Sequence, residues 1–462
     1  MMKLWFRVVA LSAAAALPAW AAPRETRPIR TESFELAEPA EVVATVTASC
    51  DKCDWGRVGH EAAVLRLEVD GRYSQHLLLT RGATAAPYRV MLGPLPEGTH
   101  RLTLGHDTDA WSRAPRTATI ASVTIARVPA ARPEHAALSL APILYARPNT
   151  VGRFTDIPLV MWYEMDRTER GSRIRYSVIF TNEDGGTPAD RLLATWGRLT
   201  DIEYVYGIEF DRAGNVVEET FQGKDHEIVP FKGRREGRHP LLYVVTDNNM
   251  VKDAGTTKQR FAPVPTAFDL TNVSREKVMD DNPWTYAVTA KEARREGRVV
   301  KTPKPGSKHI FDPSRYAVVE LCTASDDTTF ATFTFAVGVS NGRGGPRFFD
   351  STFGAREYRI SRSPDNFPNS CFRGAVALPR GAKSEDVVAL QVRAQSRPPR
   401  KGEALAPGPA GPAHLHRVNK LFLMSAADVP EPSVFSWTGN TDLTLDGPPV
   451  TLPITPTLNP GK

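Results

Sequence analysis

The chain has 462 residues, a formal charge of +6, 33 glycines, 38 prolines and four cysteines. That length predicts about three domains, and no apolar run beyond the N-terminus reaches membrane-spanning length, which excludes a helical membrane protein. The positive excess is small and scattered over Arg234-Arg235, Arg294-Arg295 and residues 397–401, a distribution that argues against nucleic acid as a partner.

The first 21 residues read as a secretory signal. Lys3 and Arg7 precede an Ala-rich apolar core at residues 8–17, and Ala19-Trp20-Ala21 fits the small-x-small cleavage rule. Loss of that segment takes the charge from +6 to +4. The expected product is exported and soluble, periplasmic or extracellular, in a GC-rich bacterium judged by Ala, Arg and Pro usage. Four cysteines suit that address. Cys50 and Cys53 are expected to close a tight loop, and Cys322 and Cys371 a long-range staple. No second Cys or His pair sits at zinc spacing, and the residues around Cys50 read as strand and loop, not as a thioredoxin-like strand-to-helix turn.

Short alternating runs dominate over 3.6-residue periodicity. The predicted class is mostly β: two or three β-sandwich or jelly-roll modules in tandem, with few short helices. The first module spans residues 32–128, with strands at 41–47, 63–69, 75–80, 89–92, 100–104 and 121–126 and turn signals at Asp70-Gly71 and Glu97-Gly98. Its Leu-x-Val-Asp-Gly and Leu-Pro-Glu-Gly-Thr segments are similar to carbohydrate-binding jelly rolls. Trp55, Tyr73, Tyr88 and Trp111 are the aromatics available for a sugar platform, or else core and rim residues. A linker is expected at residues 129–135, then a central module at 138–299 whose clearest helix lies at 291–298. A third β-rich module follows at 316–423, and residues 424–462 form a Pro-rich tail expected to wrap the surface.

The central module concentrates polar chemistry. Asp201 and Glu203 are two apart, so a strand points both to one face, and two carboxylates on one face need a cation, a proton or hydroxyl groups to be tolerable. Around them lie Asn182-Glu183-Asp184, Arg198, then Gln222, Asp225 and His226, then His239, and finally Asp247, Asn248, Asn249 and Asp253. Oxygen-rich residues at strand ends suit a hard cation, calcium or magnesium, with Asp184, Asp201, Glu203 and Asp247 as ligands. Arg198, Gln222, Asn248 and Asn249 are the candidate ligand-binding residues. The same loops can equally be turns whose side chains cap their own backbone. As an enzyme, the module could use Asp201, Glu203, Asp184 or Asp225 as a carboxyl pair, with His226 or His239 as an alternative acid/base. Gly338-Val-Ser-Asn-Gly342 matches a nucleophile elbow in form only, because Arg343-Gly-Gly-Pro predicts a turn where a helix is required. The first-module histidines His60, His76, His100 and His106 lack metal spacing and read as structural.

Residues 174–184 followed by Gly197-Arg-Leu-Thr-Asp-Ile-Glu-Tyr-Val resemble the core of two families, the necrosis-inducing cytolysins and the family named for vacuolar protein sorting-associated protein sixty-two. Phe221-Gln-Gly-Lys-Asp-His, the segment from His239 and Ala141-Pro-Ile-Leu-Tyr echo the second family's order. The resemblance implies a β-sandwich in which Asp201 and Glu203 match an acidic pair and Asp184 an upstream Asp, holding a divalent metal and recognising glycosylated sphingolipid heads. Arg198 stands where the motif has His, and Ile202 where it has Trp. The expected function is recognition of a glycan, polysaccharide or glycolipid head group through this site. The alternatives are a polysaccharide-active hydrolase or lyase using the same carboxylates, and a structural envelope protein.

Overall fold

A computed structural model describes residues 28–111, 113–183, 187–325, 330–342, 344–353, 358–361, 371–398 and 408–455. The expected signal segment and Asp184 lie outside the described residues. Three pairs of sheets follow one another along the chain.

In the first sandwich the strands Pro28–Leu36, Gly98–His106, Val64–Val69 and Arg72–Leu78 form one sheet, and Ala86–Leu95, Ala40–Cys50 and Ala118–Val128 the other. Alternation closes it: Val42, Ala44, Val46 and Ala48 face Leu65, Leu67, Leu102 and Leu104 in one core. Asp70 and Gly71 both adopt positive φ, the conformation a two-residue hairpin of this twist requires. The strand Pro28–Leu36 begins ahead of the expected boundary. Trp55 and Trp111 are buried against Phe154 and Val288, so they are core aromatics and not a sugar platform. His76 pairs with Asp107 and His100 with Asp70, as structural histidines should.

The central sandwich pairs a six-stranded sheet with a smaller one. The six strands run in the order Ile228–Pro230, Val216–Gln222, Ile202–Asp211, Gly171–Phe180, Pro158–Arg167, Thr266–Ala267. Its inner face, with Ile174, Tyr176, Val178 and Ile208, packs on Ile143, Leu144, Leu241 and Leu242 of the second sheet. The outer face is polar, and it carries the site described below. The expected linker ends in a short helix, Glu134–Ser139. The main helix runs Trp284–Arg295, longer toward its N-terminus than charge patterning indicated, because Tyr286, Val288 and Ala290 are buried between modules.

The third sandwich sets Cys371–Ala377, Tyr316–Ser325, Ala413–Leu423 and Phe435–Leu443 against Arg347–Asp350, Ala331–Val339, Val387–Ser396 and Val450–Pro453. Residues expected in a surface tail therefore supply two edge strands. Their prolines sit at strand ends, where a missing N–H does no harm. Both disulfides, Cys50–Cys53 and Cys322–Cys371, are formed. Ser340 follows the strand Ala331–Val339 into a hairpin to Arg347–Asp350, so it is no nucleophile elbow. Among the described residues no helix is long and apolar enough to cross a membrane.

Modules meet through buried polar anchors. Arg373, fully buried, donates to Glu320 at 2.6 Å, to Asp280 at 2.9 Å and to Tyr286 at 2.8 Å, joining the third sandwich to the central module's helices. The Arg373 and Lys420 charges hold Asp280 down at about 2 despite its burial. Arg373→Ala strands the buried Glu320 carboxylate and leaves Asp280 with Lys420, and should cost about 3–5 kcal/mol in urea unfolding; a loss within 1 kcal/mol, about the upper limit for an exposed pair, would show that this anchor does not hold the modules.

Candidate functional site

The outer face of the six-stranded sheet floors a groove of about 860 Å³, within the size range of ligand pockets. Period-two alternation puts Arg173, Arg175 and Ser177 on this face while Ile174, Tyr176 and Val178 point into the core. On the neighbouring strand Glu203, Gly207 and Glu209 line the groove, with Asp201 just ahead of them. A bulge at Val205 (Tyr176 lies opposite Tyr206, Ser177 opposite Tyr204) breaks the alternation and brings Tyr204 onto the same face. The ring lies across Gly207, where a Cβ would stand 2.3 Å from its hydroxyl, and the hydroxyl meets Thr220 Oγ1 at 3.0 Å.

One wall comes from the helix Ala189–Trp196. Ala189 and Leu193 anchor it in the core shared with the third sandwich, and Gly197 ends it at φ +63°, packed so closely that a Cβ would meet Arg373 at 3.0 Å. The helix leaves Trp196 half-buried on the groove. Arg198 follows, its guanidinium 5.9 Å over the Trp196 ring, with Nε donating to Glu276 at 3.1 Å and Nη1 donating to the Thr200 carbonyl.

At the base, Asp201 is 2% exposed and Glu203 8%. Each carboxyl lies close enough to act on the titration of the other. Burial, with the charge of Glu183 second, pushes Asp201 up to about 7. Burial, and then the Asp201 charge, pushes Glu203 well above the usual carboxylate range. Two carboxyls so placed hold a proton between them. Each also has an outer amide partner. Asn249 Nδ2 donates to Asp201 Oδ2 at 2.9 Å and to the Asn182 carbonyl at 2.9 Å, and Gln222 Nε2 donates to Glu203 Oε2 at 3.2 Å. Gln222 also meets His226 Nδ1 at 2.6 Å, at the end of a turn where Asp225 and His226 both have left-handed backbone, φ 61° and 63°, a conformation that costs a non-glycine residue energy.

The structure thus gathers Arg198, Asp201, Glu203, Gln222, His226 and Asn248 around one groove, with Asn249 behind Asp201. Three candidates fall elsewhere. His239 is fully buried, with Nδ1 on the Ala141 carbonyl at 2.8 Å and Nε2 on Glu41 at 3.1 Å; it pins the first sandwich to the central one. Asp247 accepts from Arg147, which also holds Asp156. Asp225 is exposed in its turn and does not line the groove. The turn reading of Asp247-Asn248-Asn249 holds in part, since Thr246 Oγ1 donates to Asn248 Oδ1 at 2.8 Å. Trp196, Tyr204 and the arginines of the floor were missed. Alternation in Arg173-Ile-Arg175-Tyr-Ser177 was the available signal for the arginines, whereas nothing local marks Arg275, which also lines the groove.

A divalent cation was expected here. Among the described residues no group of three or more His, Cys, Asp and Glu side chains gathers as a metal cage. Side-chain amides donate to the pair and burial raises both carboxyls, which suits a proton on the pair.

No family model and no curated protein matches the chain. Among solved structures, a lectin from Pleurotus ostreatus in complex with GalNAc aligns at 9% identity over 83% of each chain with a TM-score of 0.12, too low for the likeness to bear on fold or ligand.

The raised Asp201 carboxyl links folding to pH. Between its ordinary value near 3.8 and its folded value near 7, the folded state binds more protons than the unfolded one. Its stabilising contribution is complete below pH 4 and lost as pH rises through 7, a change on the order of 2–4 kcal/mol. Urea midpoints at pH 5 and pH 8 should show a stability drop in the parent that Asp201→Asn reduces, leaving the part contributed by the raised Glu203 and Glu292 carboxyls; an equal drop in both proteins would contradict a raised Asp201 carboxyl.

Proposed function

We propose that the groove on the central sandwich binds a saccharide chain, and that the protein is an exported glycan-recognition protein. The observation that carries this reading is the groove itself: a long polar floor of forked donors and acceptors beside one half-buried tryptophan. Saccharide rings need this combination, a flat apolar face for their C–H groups and planar side chains for their hydroxyls. Two disulfides suit export to an oxidising compartment. In this reading a proton takes the place of the divalent cation in neutralising Asp201 and Glu203, and the two carboxyls serve as hydroxyl partners.

The carboxyl pair also suits a hydrolase. Retaining glycosidases separate their carboxyls by about 5–5.5 Å and inverting ones by about 6.5–9.5 Å, and turnover decides between the two readings.

Oligosaccharide-array binding followed by calorimetry tests the proposal. Trp196→Ala should weaken the best ligand roughly tenfold or more, about 1.4 kcal/mol, and the parent should release no reducing ends. Unchanged affinity in Trp196→Ala would remove the groove from the account. Reducing-end release that Glu203→Gln abolishes would turn the reading to catalysis.

A further inference from the structure

The groove's arginines narrow the kind of saccharide. Arg173 and Arg175 rise side by side from the strand Gly171–Phe180. They share two carboxylates of the next strand: Arg175 reaches Glu164 at 3.4 Å and Asp166 at 2.7 Å, and Arg173 reaches Asp166 at 3.7 Å. Their Nε atoms are buried and meet no acceptor among the described residues. Arg275 enters the same space from the segment ahead of the helix Lys277–Asp280. Its charge acts on both Glu164 and Glu203, which sets it between the floor arginines and the acid pair. Among the described residues its guanidinium makes no ion pair or hydrogen bond.

A guanidinium that lines a groove without a partner, next to two others with unmet N–H groups, is a deficit of acceptors. The planar fork matches a carboxylate in bidentate fashion. The acidic side chains elsewhere in the groove set its polarity. Glu209 and Glu218 share the exposed Arg170, at 3.9 and 3.5 Å, their one shared cation among the described residues, so that region disfavours an anion and leaves it the Arg275 side.

We propose that the groove is specific for an acidic saccharide, a uronic acid unit whose carboxylate is gripped by Arg275 with Arg175 and Arg173 beside it. This rests on the saccharide-groove reading above. Arg275 then acts as the specificity-determining residue: it supplies a charge-assisted pair that a neutral sugar, or an esterified one, cannot complete.

Calorimetric titration with oligogalacturonate, oligomannuronate and hyaluronan oligosaccharides, each beside its methyl ester, tests it. At least one acid should bind the parent roughly tenfold or more tighter than its ester. Arg275→Gln should erase that preference, bringing the affinity for the acid down to that for its ester, and Arg275→Lys should restore part of it. Equal affinity of acid and ester, or a preference that survives Arg275→Gln, overturns the uronate assignment and leaves the groove reading standing. Tighter binding of a sulfated galactan oligosaccharide than of any uronate also overturns it, in favour of a sulfate. If the parent binds no saccharide of either kind, both readings fall. Among the described residues Arg275 makes no ion pair or hydrogen bond, so cooperative thermal unfolding close to the parent's should confirm that both variants are folded.

Discussion

Two neighbouring carboxyl groups buried together resist being ionised at once, and the central sandwich is arranged around that constraint. Asp201 and Glu203 stand at the base of a groove where water cannot screen them, so one proton stays between them. The groups that surround the pair are of the kind it needs. Asn249 and Gln222 supply neutral N–H donors to its outer oxygens, and Arg198 supplies positive charge while being held by Glu276. Such an arrangement spends stability for a prepared polar surface. That is the usual mark of a functional site, and here it coincides with the groove.

The flanking sandwiches do more than extend the chain. The third one braces the helix that carries Trp196, through Gly197 against Arg373 and through the core formed by Leu193 with Val318 and Phe422. The first one reaches the site from behind. Trp55 donates to Glu292 in the helix Trp284–Arg295, Asn182 donates to the same carboxylate at 2.6 Å, and the Asn182 carbonyl takes the amide of Asn249 that holds Asp201. Glu292, pushed up to about 8 chiefly by burial, is thus a second buried acid joined to the first through two asparagines, Asn182 and Asn249. The contact between modules and the groove floor thus share one polar network.

Much of this was legible in residue order. Strand alternation, turn residues such as Asp70-Gly71 and the cysteine spacing pointed to tandem β-sandwiches with two disulfides, and the structure has both. The two-residue spacing of Asp201 and Glu203 was enough to put them on one face. What the order of residues did not disclose was long-range. His239 reads as an acid/base near polar loops, yet it meets Glu41, almost two hundred positions away. Asp247 reads as a cation ligand, yet it meets Arg147. The strands in the Pro-rich tail, Phe435–Leu443 and Val450–Pro453, form because partners with open edges exist elsewhere in the third sandwich. Arg275 became a neighbour of the acid pair only through the packing of elements far apart in sequence.

The central claim is that a proton, held between Asp201 and Glu203, shapes the floor of this groove. Infrared difference spectroscopy of the parent against Asp201→Asn, recorded near pH 6, reads that proton directly through the C=O stretch of an un-ionised carboxylic acid. The account expects the band in the parent at a pH where ordinary carboxylates are fully ionised, and its loss or displacement in the variant. A parent spectrum with only ionised carboxylate bands would contradict it and return the pair to the cation that its charge would then demand.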